Sequence, residues 1–378
     1  MKILLITGVF EPELGGPATY TVRLGKKLVA LGHKVRVITY SDKPHFDFDK
    51  EYPFELIRVV RSPSKFSNYT RFFLVLLKNL RQFEVVYTLD WVTAGLPLCV
   101  ASFLTHKKYG VRVGGGYIWE KYLAEGRPGL PLKDFYEKGI HHEYPALYNI
   151  IKLVLRRATF IVFNSVDQAE LYQKFYGLTK EQTKTIPNST PESLDFGIQR
   201  DETKIRKEII FAGRYIKMKN VEATVEAFAR LKDHEYKLIL IGEGPTEEGL
   251  RQMVKDLGIE SRVAFEPPMR QKDLYTRSIQ SKYIILTSWT DISPNQVYEC
   301  LVLNIPFLIT KENYLTINSE DFLKTDPRSV EDIAEKMNSL LDEGAYQKFC
   351  DRLRQIKFSF TWDQSVEAHL KLFETIKK

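Results

Sequence analysis

The chain has 378 residues, 44% of them hydrophobic and 27% charged, and a formal net charge of +7. This composition excludes the disordered and fibrous classes, and the length exceeds the roughly 250 to 300 residues at which a single core stops growing, so we expect two domains. The positive charge suits an anionic partner such as a phosphorylated donor or an acidic membrane surface. Because the sequence shows no Lys/Arg-rich run and no nucleic-acid module, we expect no nucleic-acid binding.

Cysteine spacing and hydropathy indicate the compartment. Cys99, Cys300 and Cys350 lie far apart, which predicts neither a disulfide framework nor a zinc site and favours a reducing environment. The apolar run from Ile3 to Phe10 is too short for a secretory signal, and the run around Val92 to Leu104 is shorter than the roughly 20 residues that span a bilayer. We therefore expect a cytoplasmic protein without a transmembrane helix, with a location at the inner face of the membrane left open.

The first half of the chain alternates strand-like and helical segments. KILLITG predicts a short buried strand and a loop, and the apolar spacing over Thr19–Leu31 predicts a helix. Gly32 favours the end of that helix and VRVITY predicts a second strand, so a βαβ unit begins at residue 2. The alternation continues through ELIRVV, RFFLVLLKNL, VVYTL, an apolar helix to Leu104, YGVRV and ATFIVFNS, which is typical of a doubly wound α/β sheet.

A polar segment separates the first series from a second one. PNSTPESLDFGIQRDETKIRK contains two prolines and lacks an apolar period, which predicts an interdomain linker. EIIFAGR, a helix from Val221, KLILIGEG, RVAFE, YIILTS and IPFLIT then repeat the first architecture. We predict two Rossmann-like domains over residues 1–190 and 191–360, with a terminal helix over about 361–378 whose packing, back on the first domain or elsewhere, is left open.

Each predicted domain places a loop between its first strand and its first helix. Such a loop aims unpaired backbone N–H groups and the positive end of a helix at the edge of the sheet, where anions bind. The first loop contains Gly15 and Gly16, which either admit a ligand close to the backbone or form an ordinary turn. The second loop, FAGRYIKMKN, carries Arg214 and Lys219. Two cations at a helix N-terminus are unfavourable for the helix dipole, so we expect a phosphate ligand there.

Several sequence blocks together resemble a known family. GVFEPELGGPATYTVRLGKKLVALGHKVRVIT, NSVDQAE, IPNST, FAGRYIKMKN, LILIGEGP and SWTDISPNQVYECLVLNIPFLIT resemble, in order, the signature blocks of family-4 glycosyltransferases of group 1 type. The resemblance covers nearly the whole chain. It implies the GT-B fold, in which two Rossmann-like domains face a cleft, and transfer of a sugar with retention of anomeric configuration. It also implies a UDP- or GDP-linked donor, a glycan, lipid-linked or small-molecule acceptor, no metal or other cofactor, and a role in bacterial polysaccharide or glycoconjugate synthesis.

The same resemblance implies roles for individual residues. Arg214 and Lys219 match the diphosphate-binding pair, whose charge would stabilise the departing nucleotide diphosphate. Asp291 and Glu299 match the paired acidic motif, in which the first acid lies near the transferred sugar and the second accepts hydrogen bonds from the ribose. The predicted catalytic residues are therefore Arg214, Lys219 and Asp291, and the predicted donor-binding residues are Gly15, Gly16, Arg214, Lys219, Asn295 and Glu299.

Two positions depart from the family pattern. Gly114–Gly116 stand where many relatives carry His or Asp at a strand end, so a side-chain contact to the donor is replaced at most by backbone N–H groups. Asn304 replaces a glycine expected in a left-handed turn, a conformation that asparagine tolerates. The departure at Gly114–Gly116, together with Asp291, which is one methylene shorter than the glutamate of the family motif, keeps a non-catalytic sugar-nucleotide-binding or scaffold subunit of the same fold as the alternative function.

Three further patterns have competing interpretations. Asp47-Phe48-Asp49 matches the Asp-x-Asp string of metal-dependent glycosyltransferases, although it follows a proline-containing polar segment where loop acids are common. His141 and His142 lie beside Glu143 but lack the spacing of a zinc motif. The amphipathic stretch Arg71–Arg81 is compatible with a helix at a membrane surface and equally with a helix packed on the sheet.

Overall fold

The computed structural model describes residues 1–13, 15–190, 197–317, 319–356 and 358–377. These residues form two compact units, each of which contains a parallel sheet covered by helices. The first unit comprises the described residues of Met1–Ile118, Gly139–Asn188 and Trp362–Lys378, and the second those of Trp119–Lys138 and Ser189–Thr361. The predicted α/β class with two Rossmann-like sheets is confirmed. Of the predicted linker, residues 191–196 lie outside the described part of the chain.

The sheet of the first unit has the strand order β3-β2-β1-β4-β5-β6-β7. Its strands are β1 (Lys2–Thr7), β2 (Lys34–Ser41), β3 (Glu55–Val60), β4 (Val85–Thr88), β5 (Gly110–Val113), β6 (Phe160–Phe163) and β7 (Thr183–Thr185). The helices in the corresponding part of the chain are α1 (Gly16–Ala30), α2 (Lys65–Asn79), α3 (Gly95–Thr105), α4 (Tyr117–Ala124), α5 (Leu132–Glu137), α6 (Pro145–Arg157) and α7 (Val166–Tyr176). The side chains from Ile3 to Ile6 are fully buried on both faces of the sheet, as expected for a strand covered by helices on both sides.

The sheet of the second unit has the order β10-β9-β8-β11-β12-β13. Its strands are β8 (Glu208–Ala212), β9 (Lys237–Ile241), β10 (Val263–Glu266), β11 (Tyr283–Leu286), β12 (Phe307–Thr310) and β13 (Leu323–Thr325). The helices of this part are α8 (Val221–Ala229), α9 (Glu247–Asp256), α10 (Gln271–Ser278), α11 (Asn295–Val302), α12 (Val330–Ser339) and α13 (Glu343–Gln355). In this series α8, α9, α10, α11 and α12 each follow a strand in sequence, which is the alternation of a doubly wound sheet, whereas α13 follows α12.

The last helix, α14 (Trp362–Lys377), belongs to the first unit. Its Trp362 ring lies 4.9 Å from the ring of Tyr20 on α1, and the Tyr20 hydroxyl lies 3.1 Å from Ser365 Oγ. Deeper in the unit, the hydroxyl of Tyr87 lies 3.2 Å from Nε2 of His369, which is fully buried. These contacts explain why a helix so distant in sequence is anchored to the first sheet.

In both units the order of the strands reverses between two central neighbours. In the first unit these are β1 and β4, and in the second they are β8 and β11. The connections from such a pair leave toward opposite faces of the sheet, so a crevice opens at the carboxyl ends of the two strands, and ligands of doubly wound folds bind there. Both predicted loops, the one with Gly15 and Gly16 and the one with Arg214 and Lys219, begin at these points.

Two kinds of feature are absent from the described residues, a membrane-spanning helix and a cluster of metal-ligating side chains. None of the helices in the described ranges is long and apolar enough to cross a membrane. The same ranges contain no group of three or more His, Cys, Asp or Glu side chains placed to hold a metal ion.

Candidate functional site

The loop after β8 places Lys219 directly before a helix. A short 3-10 turn over Lys217–Lys219 is followed by Asn220, which adopts a left-handed conformation with φ of 52° and leads into α8 at Val221. Asparagine tolerates this conformation, and its buried side chain donates hydrogen bonds to the carbonyl oxygens of Thr287 (3.3 Å) and Pro327 (3.0 Å). The predicted position of Lys219 at the N-terminus of a helix is therefore present.

The segment after β11 is joined to this loop along its backbone. The Trp289 N–H donates to the carbonyl oxygen of Met218 at 3.0 Å. The Thr287 hydroxyl lies 3.2 Å from the carbonyl oxygen of Asn220 and 2.7 Å from Thr224 Oγ1. Since these contacts connect the carboxyl ends of β8 and β11, residues that are about 70 positions apart in sequence share one edge of the sheet.

Lys219 and Asp291 meet at that edge. Lys219 Nζ lies 3.9 Å from Asp291 Oδ1, and the two side chains are 27% and 8% exposed. Asp291 is held by its backbone, because its N–H donates to the carbonyl oxygen of Glu312 (2.9 Å) and its own carbonyl accepts from the Tyr314 N–H (3.0 Å). At 3.9 Å the ion pair is attractive but too long for a hydrogen bond, so the ammonium group keeps donors for a ligand.

Arg214 lies in the same loop and is exposed. Within the described residues its guanidinium forms no hydrogen bond or ion pair. The loop backbone, in contrast, is fixed: the N–H groups of Gly213 and Tyr215 donate to the carbonyl oxygens of Ile241 (2.9 Å) and Glu243 (2.8 Å). The backbone of this loop is therefore held in place, while the guanidinium of Arg214 keeps its hydrogen-bond donors available for a ligand.

Two glycines after β9 permit this close approach of the loops. A Cβ atom at Gly242 would lie 2.0 Å from the carbonyl oxygen of Gly213, and one at Gly244 would lie 2.3 Å from that of Tyr215. Both glycines also have positive φ angles, 150° and 159°. Sequence reasoning assigned them no role at the site. The signal was present in the Gly-x-Gly string that follows a strand, but only the fold shows which loop it supports.

Asn295 and Glu299 lie on the helix that follows Asp291. Asn295 begins α11, and Glu299 stands four residues later, so both occupy the same face of the helix. Asn295 is exposed, whereas Glu299 is partly buried with its Oε1 atom 3.5 Å from Gln271 Nε2 on α10. Gln271 is a polar neighbour of the predicted ribose-binding acid that sequence reasoning missed, because nothing in its local sequence distinguishes it.

A segment of the chain far from this site in sequence supports the turn that carries Asp291. The Leu132 N–H donates to Thr290 Oγ1 at 2.8 Å, and Gly129 lies so close to the Trp289 indole that a Cβ atom there would be 2.1 Å from Cε2. Arg328 forms ion pairs with Asp134 (2.9 Å) and with Glu312 (2.9 Å), the residue whose carbonyl holds Asp291. Burial alone would lower the pKa of the Arg328 guanidinium, but hydrogen bonds to these carboxylates outweigh burial and raise it.

Gly15 and Gly16 lie in the first unit, at the start of α1. Gly15 is in an extended conformation, and a Cβ atom at Gly16 would meet no atom within 4 Å. Both residues are exposed. The backbone therefore does not require glycine at these positions, and the N-terminus of α1 is open on this side. Their role in donor binding stays a prediction.

The positions that depart from the family pattern have clear local structures. Asn304 adopts a left-handed conformation with φ of 52°, as expected for a residue that replaces glycine. Gly114 has no positive φ, and a Cβ atom there would meet nothing within 4 Å, so a side chain would fit. The Gly115 carbonyl accepts a hydrogen bond from the Tyr172 hydroxyl at 2.9 Å.

The two competing metal patterns are engaged in structural contacts. The Asp49 carboxylate accepts hydrogen bonds from Arg58 at 2.6 and 2.9 Å. Burial alone would raise the pKa of Asp49, but the hydrogen bonds from Arg58 outweigh it and lower the pKa. His141 is buried, and burial followed by the neighbouring His142 lowers its pKa to about 4. The Asp49 carboxylate thus forms an ion pair with Arg58, and the His141 ring is neutral and buried.

Solved structures with this architecture define the class of protein. Sucrose-phosphate synthase from Thermosynechococcus elongatus is similar with a TM-score of 0.77 and 16% sequence identity, covering 100% of this chain and 99% of that chain. HepE of Anabaena, solved in complex with UDP and glucose, has a TM-score of 0.73 and 15% identity, covering 99% of this chain and 100% of that chain. The fold is that of the GT-B glycosyltransferases.

The family follows from the sequence models that match. The model for Glycosyltransferase Family 4 matches residues 14–193, and the model for Glycosyl transferases group 1 matches residues 196–357. The chain belongs to this glycosyltransferase family. Among curated relatives, N-acetyl-alpha-D-glucosaminyl L-malate synthase of Bacillus anthracis is 27% identical over 269 residues, which is 67% of this chain and 65% of that protein.

Proposed function

We propose that this glycosyltransferase moves a hexosyl group from a UDP- or GDP-linked donor to a glycan, lipid-linked or small-molecule acceptor, with retention of configuration and without a metal ion. The observation that carries this proposal is the position of Lys219 next to Asp291, 3.9 Å apart at the carboxyl ends of β8 and β11. A cation and a carboxylate at one point suit a donor that carries a diphosphate on one side and a sugar on the other.

The cations would act on the leaving group. When the bond between the anomeric carbon and the diphosphate oxygen breaks, negative charge develops on that oxygen, and Lys219 and Arg214 would stabilise it. This is the task that a bound metal performs in other enzymes, and in this proposal the two positive side chains take its place. The donors of Lys219 and Arg214 that are left without protein partners favour this use.

The acceptor oxygen would form the new bond on the face that the diphosphate leaves. Its proton passes to the departing phosphate oxygen, so the protein supplies no nucleophile and the configuration is retained. Asp291 would accept a hydrogen bond from a sugar hydroxyl and stabilise positive charge near the anomeric carbon. Its burial and its backbone hydrogen bonds keep the carboxylate in one place for that purpose.

The nucleoside would be held by the helix after Asp291. Glu299 would accept hydrogen bonds from the ribose hydroxyls, and Asn295 would contact the donor at the N-terminus of α11. UDP bound to the similar Anabaena protein supports a uridine donor. The family membership and the Lys219–Asp291 pair favour an enzyme over a scaffold subunit, and a role in bacterial polysaccharide or glycoconjugate synthesis is part of the same proposal.

The test begins with donor turnover. The purified chain is incubated with UDP- and GDP-linked hexoses, with and without a chelator, and released nucleotide is measured. We expect slow release from at least one donor, unchanged by the chelator, and an α-linked product from an α-linked donor by NMR once an acceptor is found. Release that requires an added divalent metal, or binding of a donor without any release, would contradict the proposal.

A further inference from the structure

Three neighbouring helices of the first unit, like α1, lack acidic residues altogether. The sequences of α2, α3 and α6 contain no Asp or Glu. The helices lie next to one another, since α3 packs against both α2 and α6. The exposed cations on them and directly after them are Lys65, Arg71, Lys78, Arg81, Lys108, Arg156 and Arg157. None of these cations forms an ion pair within the described residues, so no paired carboxylate compensates their charge.

The same helices expose large apolar side chains. On α3, Phe103 and Leu104 are 58% and 54% exposed and share a face with the exposed Val100. On α2, Phe66 is 81% exposed and Leu74 stands two turns later on the same side, and on α6 Leu153 is exposed. The Arg157 guanidinium lies 4.7 Å from the centre of the Phe103 ring, so charge and apolar surface are in direct contact. We call these exposed cations and apolar residues together the basic apolar face.

The other large apolar residues that are exposed in the described part of the chain do not form such a group. They stand singly, each on a different helix or helix end, and are Leu31, Tyr117, Val166 and Leu257. Single exposed apolar residues are normal on protein surfaces, whereas a group of them rimmed by charges of one sign marks an interaction site. The composition of the basic apolar face is therefore typical of an interaction site.

We propose that the basic apolar face binds an anionic lipid bilayer. Lysine and arginine are attracted to anionic headgroups, and aliphatic and aromatic side chains beside them insert at the boundary with the acyl chains. A second copy of this chain is a poor occupant, because a symmetric contact would place the cations of one face against those of the other. Nucleic acid would use the cations but gain nothing from Leu74, Val100, Leu104 and Leu153.

One carboxylate, that of Glu84, lies close to the end of α3. It follows α2 in sequence and acts on Lys107, a partly buried residue at the end of α3, where burial lowers the pKa and Glu84 raises it. Its carboxylate also accepts the Lys2 N–H at 2.7 Å and lies 3.9 Å from Lys377 Nζ. The Glu84 carboxylate thus already has partners that lie outside the basic apolar face. The inference does not depend on the proposed transfer reaction.

The test is co-sedimentation of the full chain with lipid vesicles. Vesicles of phosphatidylglycerol and phosphatidylcholine in equal amounts are compared with phosphatidylcholine alone. We expect binding to the anionic vesicles that is at least about tenfold tighter than to the neutral ones and that weakens as salt is raised. Absence of binding to anionic vesicles, or a chain that dimerises through these helices instead, would overturn the inference.

Variants separate the two components of the face. Phe103→Ser with Leu104→Ser removes apolar insertion, and Lys108→Glu with Arg156→Glu removes positive charge; each pair should weaken vesicle binding about tenfold or more. The matched controls are Leu257→Ser, which is 42% exposed in the second unit, and Lys371→Glu on α14, and both should bind like the original chain. An unchanged thermal midpoint in all variants verifies folding. Equal binding by the double variants and their controls would refute the assignment.

Discussion

The two units have the same strand order around their central pair of strands, yet the charged groups at that point differ in how they are used. In the first unit Asp90 follows β4, and its Oδ1 atom accepts hydrogen bonds from the N–H groups of Val92 and Thr93, both at 2.8 Å. The nearby cation Arg61 donates to the Gly8 carbonyl (3.1 Å) and is paired with Glu13 (2.7 Å). Protein partners therefore satisfy the charges at this edge.

In the second unit the equivalent edge keeps its charges available. Arg214 has no side-chain partner within the described residues, and Lys219 has only the 3.9 Å contact with Asp291. The backbone that carries them is held as firmly as in the first unit, by the loop contacts at Gly242 and Gly244. The fold thus determines the sheet edge at which a ligand can bind in each unit. Within the described residues the two edges differ in whether the charged side chains of their loops are already paired, and the edge of the second unit keeps cations available for an anion.

The largest effect is expected from removing the Lys219 ammonium group, which has no hydrogen-bonded partner in the described residues. Lys219→Ala should lower kcat for donor turnover by about 10² to 10³, the cost of removing one charged donor to a developing anion, and weaken donor binding by about 1 to 3 kcal/mol. Steady-state kinetics and calorimetry measure the two effects. The control is Lys217→Ala in the same turn, where the side chain pairs with Glu222 at 3.5 Å and little change is expected. If both variants lose activity equally, the loop acts through its net charge and not through Lys219.

A second experiment tests whether the charged groups at the carboxyl ends of β1 and β4, in the first unit, contribute to stability. A Cβ atom at Gly8 would lie 1.9 Å from Asp90 Oδ2, and the carboxylate cannot move without breaking its hydrogen bonds to the turn. Gly8→Ala should therefore lower the free energy of unfolding by about 1 to 3 kcal/mol, as measured by urea denaturation. Gly16→Ala, where the added methyl meets no atom within 4 Å, should leave stability unchanged. If Gly16→Ala nevertheless weakens donor binding, Gly16 lies at the ligand.

The smallest expected effect is a loss of stability at low pH. It should be larger in the first unit, which contains the buried histidines His141 and His369. Burial, followed by repulsion from Arg112, lowers the pKa of His369 to about 3 from its ordinary 6.5. Below pH 6.5 the unfolded chain binds a proton that the folded chain does not, so stability is full above that pH and falls as pH decreases toward 3. We expect a loss of about 2 kcal/mol from His369 between pH 7 and pH 5, and His141 acts in the same direction.

Both histidines belong to the first unit, so acid should loosen that unit first. Hydrogen exchange followed by mass spectrometry at pH 7 and pH 5, corrected for intrinsic rates, resolves peptides of each unit. His369→Gln is the control, because it removes the titrating group and should reduce the pH dependence. Equal loss of protection in both units would show that these histidines do not determine the acid response.

Much of the fold was predictable because its signals are local. KILLITG and VRVITY lie at β1 and β2, and the predicted helix over Thr19–Leu31 is α1, which begins three residues earlier because Pro17 favours the first turn of a helix. The loop that holds Lys219 was equally predictable, because the strand, the cations and the helix follow one another within a few residues. Its approach to Asp291 depends on β8 and β11 being neighbours, which the order of segments alone does not reveal.

Other features could not be predicted because their partners are distant in sequence. Helices α4 and α5 were not predicted as elements. The start of α5 and the turn before it contact Thr290 and Trp289, which lie over 150 residues away. The basic apolar face was equally hidden, because Leu74 and Phe103 have the spacing of residues that pack in a core, and only their exposure shows otherwise. Periodicity predicts which residues share a helix face but not what covers that face.

The segment Trp119–Lys138 has a practical consequence for dissecting the molecule. Gly129 and Leu132 cover the Trp289 indole and the Thr290 hydroxyl, so the second unit is not a continuous stretch of chain. A fragment that starts after residue 196 would expose this indole and lose the support of the turn that carries Asp291. Exchange of second units between relatives by a single crossover therefore separates that turn from its support, and a chimera that keeps the turn intact needs residues 119–138 transferred with it.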